Sequence, residues 1–181
     1  SEISLYADIF SAMKVKSWLL HFPYHSYDHV ISFLNQAAVE PNVKSFNTSQ
    51  YRVASNSQVG SALIRAAQNG KDVSVFVEIK ARFDEASNLK SAKEMEEAGI
   101  KIVYSIPGLK VHAKIAMVIR DEGNGREKGY AFLSTGNFNE KTARLYTDQG
   151  YLTARREIIA ELQEIFAHLL DQSYNPKTFK T

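Results

Sequence analysis

Val73-Ser74-Val75-Phe76-Val77-Glu78-Ile79 decides the fold class. The stretch is short, apolar at most places and rich in β-branched side chains, so it reads as a strand buried inside a sheet. Helical patterns flank it on both sides. Before it, Ser57 opens a helix that places Val59, Ala62, Leu63, Ala66 and Ala67 on one face, and Asn69-Gly70 stops it. After it, Leu89, Ala92, Met95 and Ala98 recur at helical spacing up to Gly99, and residues 100–104 form the next strand.

The same alternation extends outward. Ser26 caps a helix carrying Val30, Ile31, Phe33, Leu34, Ala37 and Ala38, which Pro41 ends; a strand-like stretch then runs to about residue 54. Residues 112–119 and 130–134 read as paired strands, with Asp121-Glu122-Gly123-Asn124-Gly125 as the hairpin loop between them. Residues 149–153 give a last strand. Residues 155–170 give a closing amphipathic helix with Ile158, Ile159, Leu162, Ile165, Phe166 and Leu169 on its apolar side. Strands alternating with helices predict an α/β layered domain, and the hairpin makes its sheet mixed. Ligands in such domains gather beyond the strand ends.

Composition excludes several classes. The 181 residues suit one domain with a real core. With 22 basic and 20 acidic residues the net charge is +2, so any anion site has to be local. The absence of cysteine excludes thiol catalysis and thiolate metal sites, and fits a cytosolic protein. No apolar run has the length of a membrane span. The polar start without Met and the aperiodic end predict a piece of a longer protein, with residues 1–14 and 172–181 as connecting segments.

Two pieces carry candidate chemistry. His112 and Lys114 share one side of a strand, about 7 Å apart by strand rise. A neutral imidazole can attack phosphorus, and a neighbouring ammonium stabilises the phosphoryl oxygens. By spacing alone the histidine is as well read as a surface or structural residue. Ser134-Thr135-Gly136-Asn137-Phe138-Asn139 follows a strand and offers donors to phosphate, although Gly and Asn also dominate plain turns. His21, His25 and His29 have i, i+4 spacing but no carboxylate completes a ligand set. Trp18, Phe22 and Phe33 read as core.

The order of the two pieces, an H-x-K segment and then a hydroxyl-Gly-Asn turn, resembles the half-site of the phospholipase D superfamily. The superfamily's Asp would fall at Ile119, which argues against an ordinary phosphodiesterase. His21 to Tyr27, Tyr51 to Ala54, Lys80 to Glu85, Pro107 to Lys114 and Thr135 to Asp148 stand in the order found in polyphosphate kinases of the first type. The chain is identified as similar to that family over residues 15 to 178.

The resemblance implies a phospholipase D-like layered sandwich that forms the first C-terminal catalytic domain of a longer kinase. It implies reversible transfer of the terminal phosphate of ATP to polyphosphate through a phosphohistidine. His112 resembles the phosphorylated histidine. Arg52 and Arg82 resemble arginines that sit with phosphate in the vicinity of Mg²⁺ without ligating it, so carboxylates such as Asp84 or Glu85, water or phosphate oxygens would hold the ion. Lys114, Asn137 and Asn139 follow from spacing and superfamily, and Tyr146 resembles a nucleotide contact. Lys110 and Lys141 add local positive charge. The implied partners are ATP or ADP, polyphosphate and further domains of the same polypeptide. No nucleic acid is expected, and a homo-oligomer and membrane association are open to the full-length enzyme in the cytoplasm. A phosphodiesterase or nuclease, and an inert polyphosphate-binding module, are the competing readings.

Overall fold

The computed structural model describes residues 2–50, 57–77, 85–104, 108, 111–177 and 179. After a 3-10 turn at Glu2–Leu5 come α1 (Ile9–Val15), β1 (Trp18–Phe22), α2 (Asp28–Val39), β2 (Val43–Gln50) and α3 (Gln58–Gln68). Next are β3 (Asp72–Val77), α4 (Glu85–Glu97), β4 (Lys101–Tyr104), β5 (Lys114–Asp121) and β6 (Glu127–Ser134). A second 3-10 turn at Thr142–Arg144, β7 (Asp148–Thr153) and α5 (Arg156–Leu170) complete the fold.

The strands form one mixed seven-stranded sheet in the order β1-β7-β6-β5-β2-β3-β4. β2, β3 and β4 run parallel, as helical crossovers require, and the other neighbours pair antiparallel. The sheet's two faces are filled by strand alternation. Phe46, Ala116, Val118, Tyr130 and Phe132 face α1, α2 and α3, where Phe10 and Phe33 fill the core. Phe76, Ile115, Met117, Ile119 and Ala131 face α5 through Ile159, Leu162, Phe166 and Leu169. Gly129 permits this second layer, because a Cβ there would lie 2.1 Å from Ile159 Cγ2.

Capping explains several boundaries. The Ser57 hydroxyl accepts the Val59 N–H, as expected for the start of α3. At α2 the N-cap is Tyr27 rather than Ser26, although the Ser26 hydroxyl still accepts the Asp28 N–H at 3.1 Å.

Three other expectations change. Residues 1–14 are not a plain connector: Ile3, Ile9, Phe10, Ala12 and Met13 are buried, and Asp8 caps α1 by accepting the Ser11 N–H. The stretch around Trp18 and Phe22 is core as expected, but it is also a strand. Among the described strands β1 is an edge strand paired with β7 alone, and Pro23 directly after it is tolerated at such a place. Finally, β5 begins at Lys114, so His112 precedes the strand rather than starting it. The tail is tied back to α5: the Tyr174 hydroxyl donates to Glu164 Oε2 at 2.6 Å, as does the Lys177 N–H at 3.0 Å.

Candidate functional site

All seven strands have one terminus at the same end of the sheet. β2, β3 and β4 finish there at Gln50, Val77 and Tyr104; β5 starts there at Lys114; β6 finishes at Ser134 opposite it. Asp148 and Phe22 pair beside them. The His112 segment and the Ser134 to Asn139 turn are therefore brought together by the β5–β6 pairing, as the sequence predicts.

Ser49 fixes the His112 segment. Its hydroxyl donates to the Ala113 carbonyl at 2.7 Å and accepts the Ile115 N–H at 3.1 Å, bracketing Lys114 from the neighbouring strand. Lys114 is only 3% exposed, whereas His112 is exposed. The Lys114 ammonium donates to the His112 carbonyl at 2.7 Å and lies 3.0 Å from Nδ1 and 3.1 Å from Nε2 of its ring. The two side chains do share one space, but a hydrogen bond to the backbone curls the lysine back onto the histidine. Strand pleat alone does not produce that contact.

The turn is built differently from a bare phosphate nest. Its backbone N–H groups are partly consumed: that of Thr135 by the Gln149 carbonyl and that of Gly136 by the Ser134 hydroxyl. The Thr135 hydroxyl donates to Asp148 Oδ1 at 2.8 Å and accepts the Gln149 N–H. Gly136 is required here, since a Cβ would lie 2.4 Å from Asp148 Oδ2. Asn139 caps the following 3-10 turn, its Oδ1 accepting the Lys141 and Thr142 N–H groups at 2.9 and 3.1 Å. Asn137 differs: its Oδ1 is buried and makes no hydrogen bond. Such an oxygen is costly unless a ligand or water answers it.

Glu140 links the turn to α3 by accepting the Gln58 N–H at 2.7 Å. Tyr27 packs behind it. Burial, and then the charges of Glu140 and Asp148, push its phenol well above the usual range. Tyr146 is 63% exposed beside Leu145, so its ring is open to a ligand rather than packed in the core. Lys141 is exposed. Arg52, Arg82, Asp84 and Lys110 lie outside the described residues; Glu85 is the first residue of α4. His25 Nδ1 accepts the His21 N–H at 2.8 Å, so these histidines serve local structure. Among the described residues no group of three His, Cys, Asp or Glu could hold a metal ion. Ser49, Asp148 and Glu140 have no role in the sequence reading. Ser49 carries no motif signal, while Asp148 and Glu140 stand inside the motif string without a role attached.

Residues 8–175 match the family model of the polyphosphate kinase C-terminal domain 1. The chain belongs to the polyphosphate kinase family. Its domain is 46% identical over 170 residues to polyphosphate kinase from Escherichia coli (strain K12), covering 94% of this chain and 24% of that protein. It is 42% identical over 175 residues to the Vibrio vulnificus (strain YJ016) enzyme, with 97% and 25% coverage. The crystal structure of polyphosphate kinase from Porphyromonas gingivalis superposes with a TM-score of 0.87 at 46% identity, covering 99% of this chain and 30% of that one. This polyphosphate kinase domain thus spans about a quarter of the length of the curated relatives it matches. NucT from Helicobacter pylori shares the fold at TM-score 0.67 and 16% identity, over 86% of this chain and 96% of that one. Nuc from Salmonella typhimurium, a phospholipase D family member, does so at 0.63 and 15%, over 92% and 99%. The layered sandwich is therefore phospholipase D-like. No described helix is long and apolar enough to cross a membrane.

Proposed function

We propose that this domain carries the phosphohistidine step of a polyphosphate kinase, with His112 as the nucleophile. The observation that supports this most is the His112–Lys114 pair: an exposed imidazole with a buried ammonium within 3.1 Å of its ring nitrogens, opposite the turn that holds Asn137. In the first step an imidazole nitrogen forms a bond to the γ-phosphorus of ATP. The bond from that phosphorus to the bridging oxygen breaks and ADP leaves. In the second step a terminal oxygen of polyphosphate attacks the same phosphorus and the nitrogen–phosphorus bond breaks. Lys114 moves its hydrogen bond from the ring to a phosphoryl oxygen as charge develops there. Asn137 directs its amide to the same oxygens, and Tyr146 stacks against the nucleotide. Arg52 and Arg82 bind phosphate as bidentate forks.

Mg²⁺, when bound, would be held by phosphate oxygens, water or carboxylates such as Asp84 or Glu85, and would offset the phosphoryl charge. Asp148 and Glu140 are already engaged with Thr135 and Gln58, so they do not form a carboxylate cage. The isolated domain binds polyphosphate without turnover, because the relatives are about four times longer. Membrane association and self-assembly belong to the longer enzyme in the cytoplasm.

The test is γ-labelled ATP with a polyphosphate kinase chain that carries this domain. Acid-labile, alkali-stable label should appear on His112 and vanish in His112→Ala. Label retained in that variant overturns the assignment.

A further inference from the structure

At the opposite end of the sheet, a groove of about 790 Å³ opens between the β5–β6 hairpin and the first turns of α5. We propose that it is a second anion site, which holds a distant stretch of linear polyphosphate while the chain end is at His112. The ligand's identity rests on the function proposed above; the site rests on its own charge balance.

Six charged side chains line the groove: Lys14, Arg126, Lys128 and Arg156 against Glu122 and Glu127. Both carboxylates are answered. Glu122 is engaged by Lys14, by Arg120 Nη1 at 2.9 Å and by the Tyr130 hydroxyl at 2.6 Å, and Lys44 holds Glu127 at 3.0 Å. Among the described residues, Arg126, Lys128 and Arg156 form no ion pair. The groove is therefore positive although the whole chain is nearly neutral.

Backbone geometry delivers that charge to the groove. Arg156 is the first residue of α5, and the carboxylate of that turn, Glu157, pairs with Arg155 at 3.7 Å. The Gly123-Asn124-Gly125 loop takes positive φ at all three residues, so the chain reverses tightly and delivers Arg126 and Lys128 to the groove's rim.

The lining also discriminates between polyanions. Among the described residues its lining has no aromatic side chain, and the apolar part of the floor is Ile119, Ile159 and Ala160. Single-stranded nucleic acid is gripped by base stacking on aromatics, which this groove does not offer. A polymer of phosphates without bases needs only the cations. β5 has eight residues, so the groove lies about 25 Å from Lys114. Only long chains can reach both places.

The experiment is titration of this 181-residue chain with long-chain polyphosphate and with inorganic tripolyphosphate, repeated for Arg126→Gln/Lys128→Gln/Arg156→Gln and for each single variant. The triple variant should bind long chains about tenfold more weakly, and the dependence of log affinity on log salt should flatten by about 2 to 3. Its tripolyphosphate affinity should fall by less, because a short chain cannot reach both places at once. The singles should each show part of the loss, which separates charge removal from misfolding. Unchanged long-chain affinity in the triple variant overturns the proposal, as does equal competition by a single-stranded oligonucleotide of the same charge. In the longer enzyme, label from γ-labelled ATP should still reach His112 in the triple variant. The groove therefore stands or falls separately from the phosphohistidine.

Discussion

The two ends of the sheet solve opposite problems. At the Arg120 end the charges around Glu122 answer one another: Glu122 receives Arg120, Lys14 and Tyr130, and Arg120 also reaches Glu40 at 3.4 Å, although Arg120 Nε is buried without a bond. Burial works against the Glu122 charge, but these three donors outweigh it and hold its carboxyl down at about 2. At the Lys114 end, an exposed imidazole stands beside a buried ammonium. His112 is exposed, Lys114 turns its ammonium onto the histidine, and Asn137 Oδ1 is buried without a bond. A salt-bridged cluster fixes structure, whereas an exposed imidazole beside a buried ammonium presents a reactive group outward.

The contrast breaks most sharply at Lys114. Lys114→Met keeps the stem and removes the charge, so phosphoryl transfer in the longer enzyme should fall by about 10²- to 10³-fold, or roughly 3–4 kcal/mol of transition-state stabilisation. Thermal stability should move little. Single-turnover label transfer beside a melting curve checks both, and a large loss of stability with normal transfer would reverse the assignment of the two ends.

Glu122→Ala is the mirror experiment. It removes the acceptor of Tyr130 and Lys14 and leaves Arg120 with Glu40, and should cost about 1–3 kcal/mol in denaturant unfolding, with transfer per folded molecule unchanged. Gly136→Ala tests the boundary between site and scaffold. Its Cβ must displace the Asp148 carboxylate, so we expect about 1–2 kcal/mol of destabilisation together with slower transfer. Ser49→Ala removes the bracket around Lys114 and should cost about 1 kcal/mol, with a smaller drop in transfer.

The smallest effect is in the pH dependence of the Arg120 end. The folded pKa of Glu122 lies below its ordinary value of 4.5, so its stabilising contribution is full above about 4.5 and is lost as pH falls towards about 2. The stability gap between the parent and Glu122→Gln should therefore be constant near neutrality and close over that acid window. A gap that stays open at pH 2 would show that the carboxylate charge is not what holds the cluster.

Much of this was legible in the sequence wherever one local period dominates. Residues 73–77, α3 and α5 show a single pattern, and their boundaries fall close to the expected places. β1 was not legible as a strand. Trp18 to Phe22 is five residues of mixed pattern, and it is a strand because β7, far along the chain, offers it a partner. α1 was hidden for a related reason: its seven residues are too few to display a period, and burial of Phe10 against Phe33 and Tyr130 holds it. In the site, residue types and their approach were readable as His112, Lys114 and the turn. The lysine's curl and the contribution of Ser49 were not, because each depends on which strand lies alongside. Arg52 and Arg82 lie outside the described residues, so the arginine expectation carries over unchanged into the proposed function.

The pairing of β1 with β7 has a consequence for assembly in time. Ser17 and Thr153, which share a hydrogen bond of 2.7 Å, are 136 residues apart in the chain. Closing so long a loop is entropically costly, and contacts of this kind slow folding. During synthesis β1 emerges long before β7 exists, while β6 waits with an open margin. β7 is therefore the strand that joins β1 to the sheet, and until it arrives an unpaired β1 and the open edge of β6 must be kept from other copies of the chain.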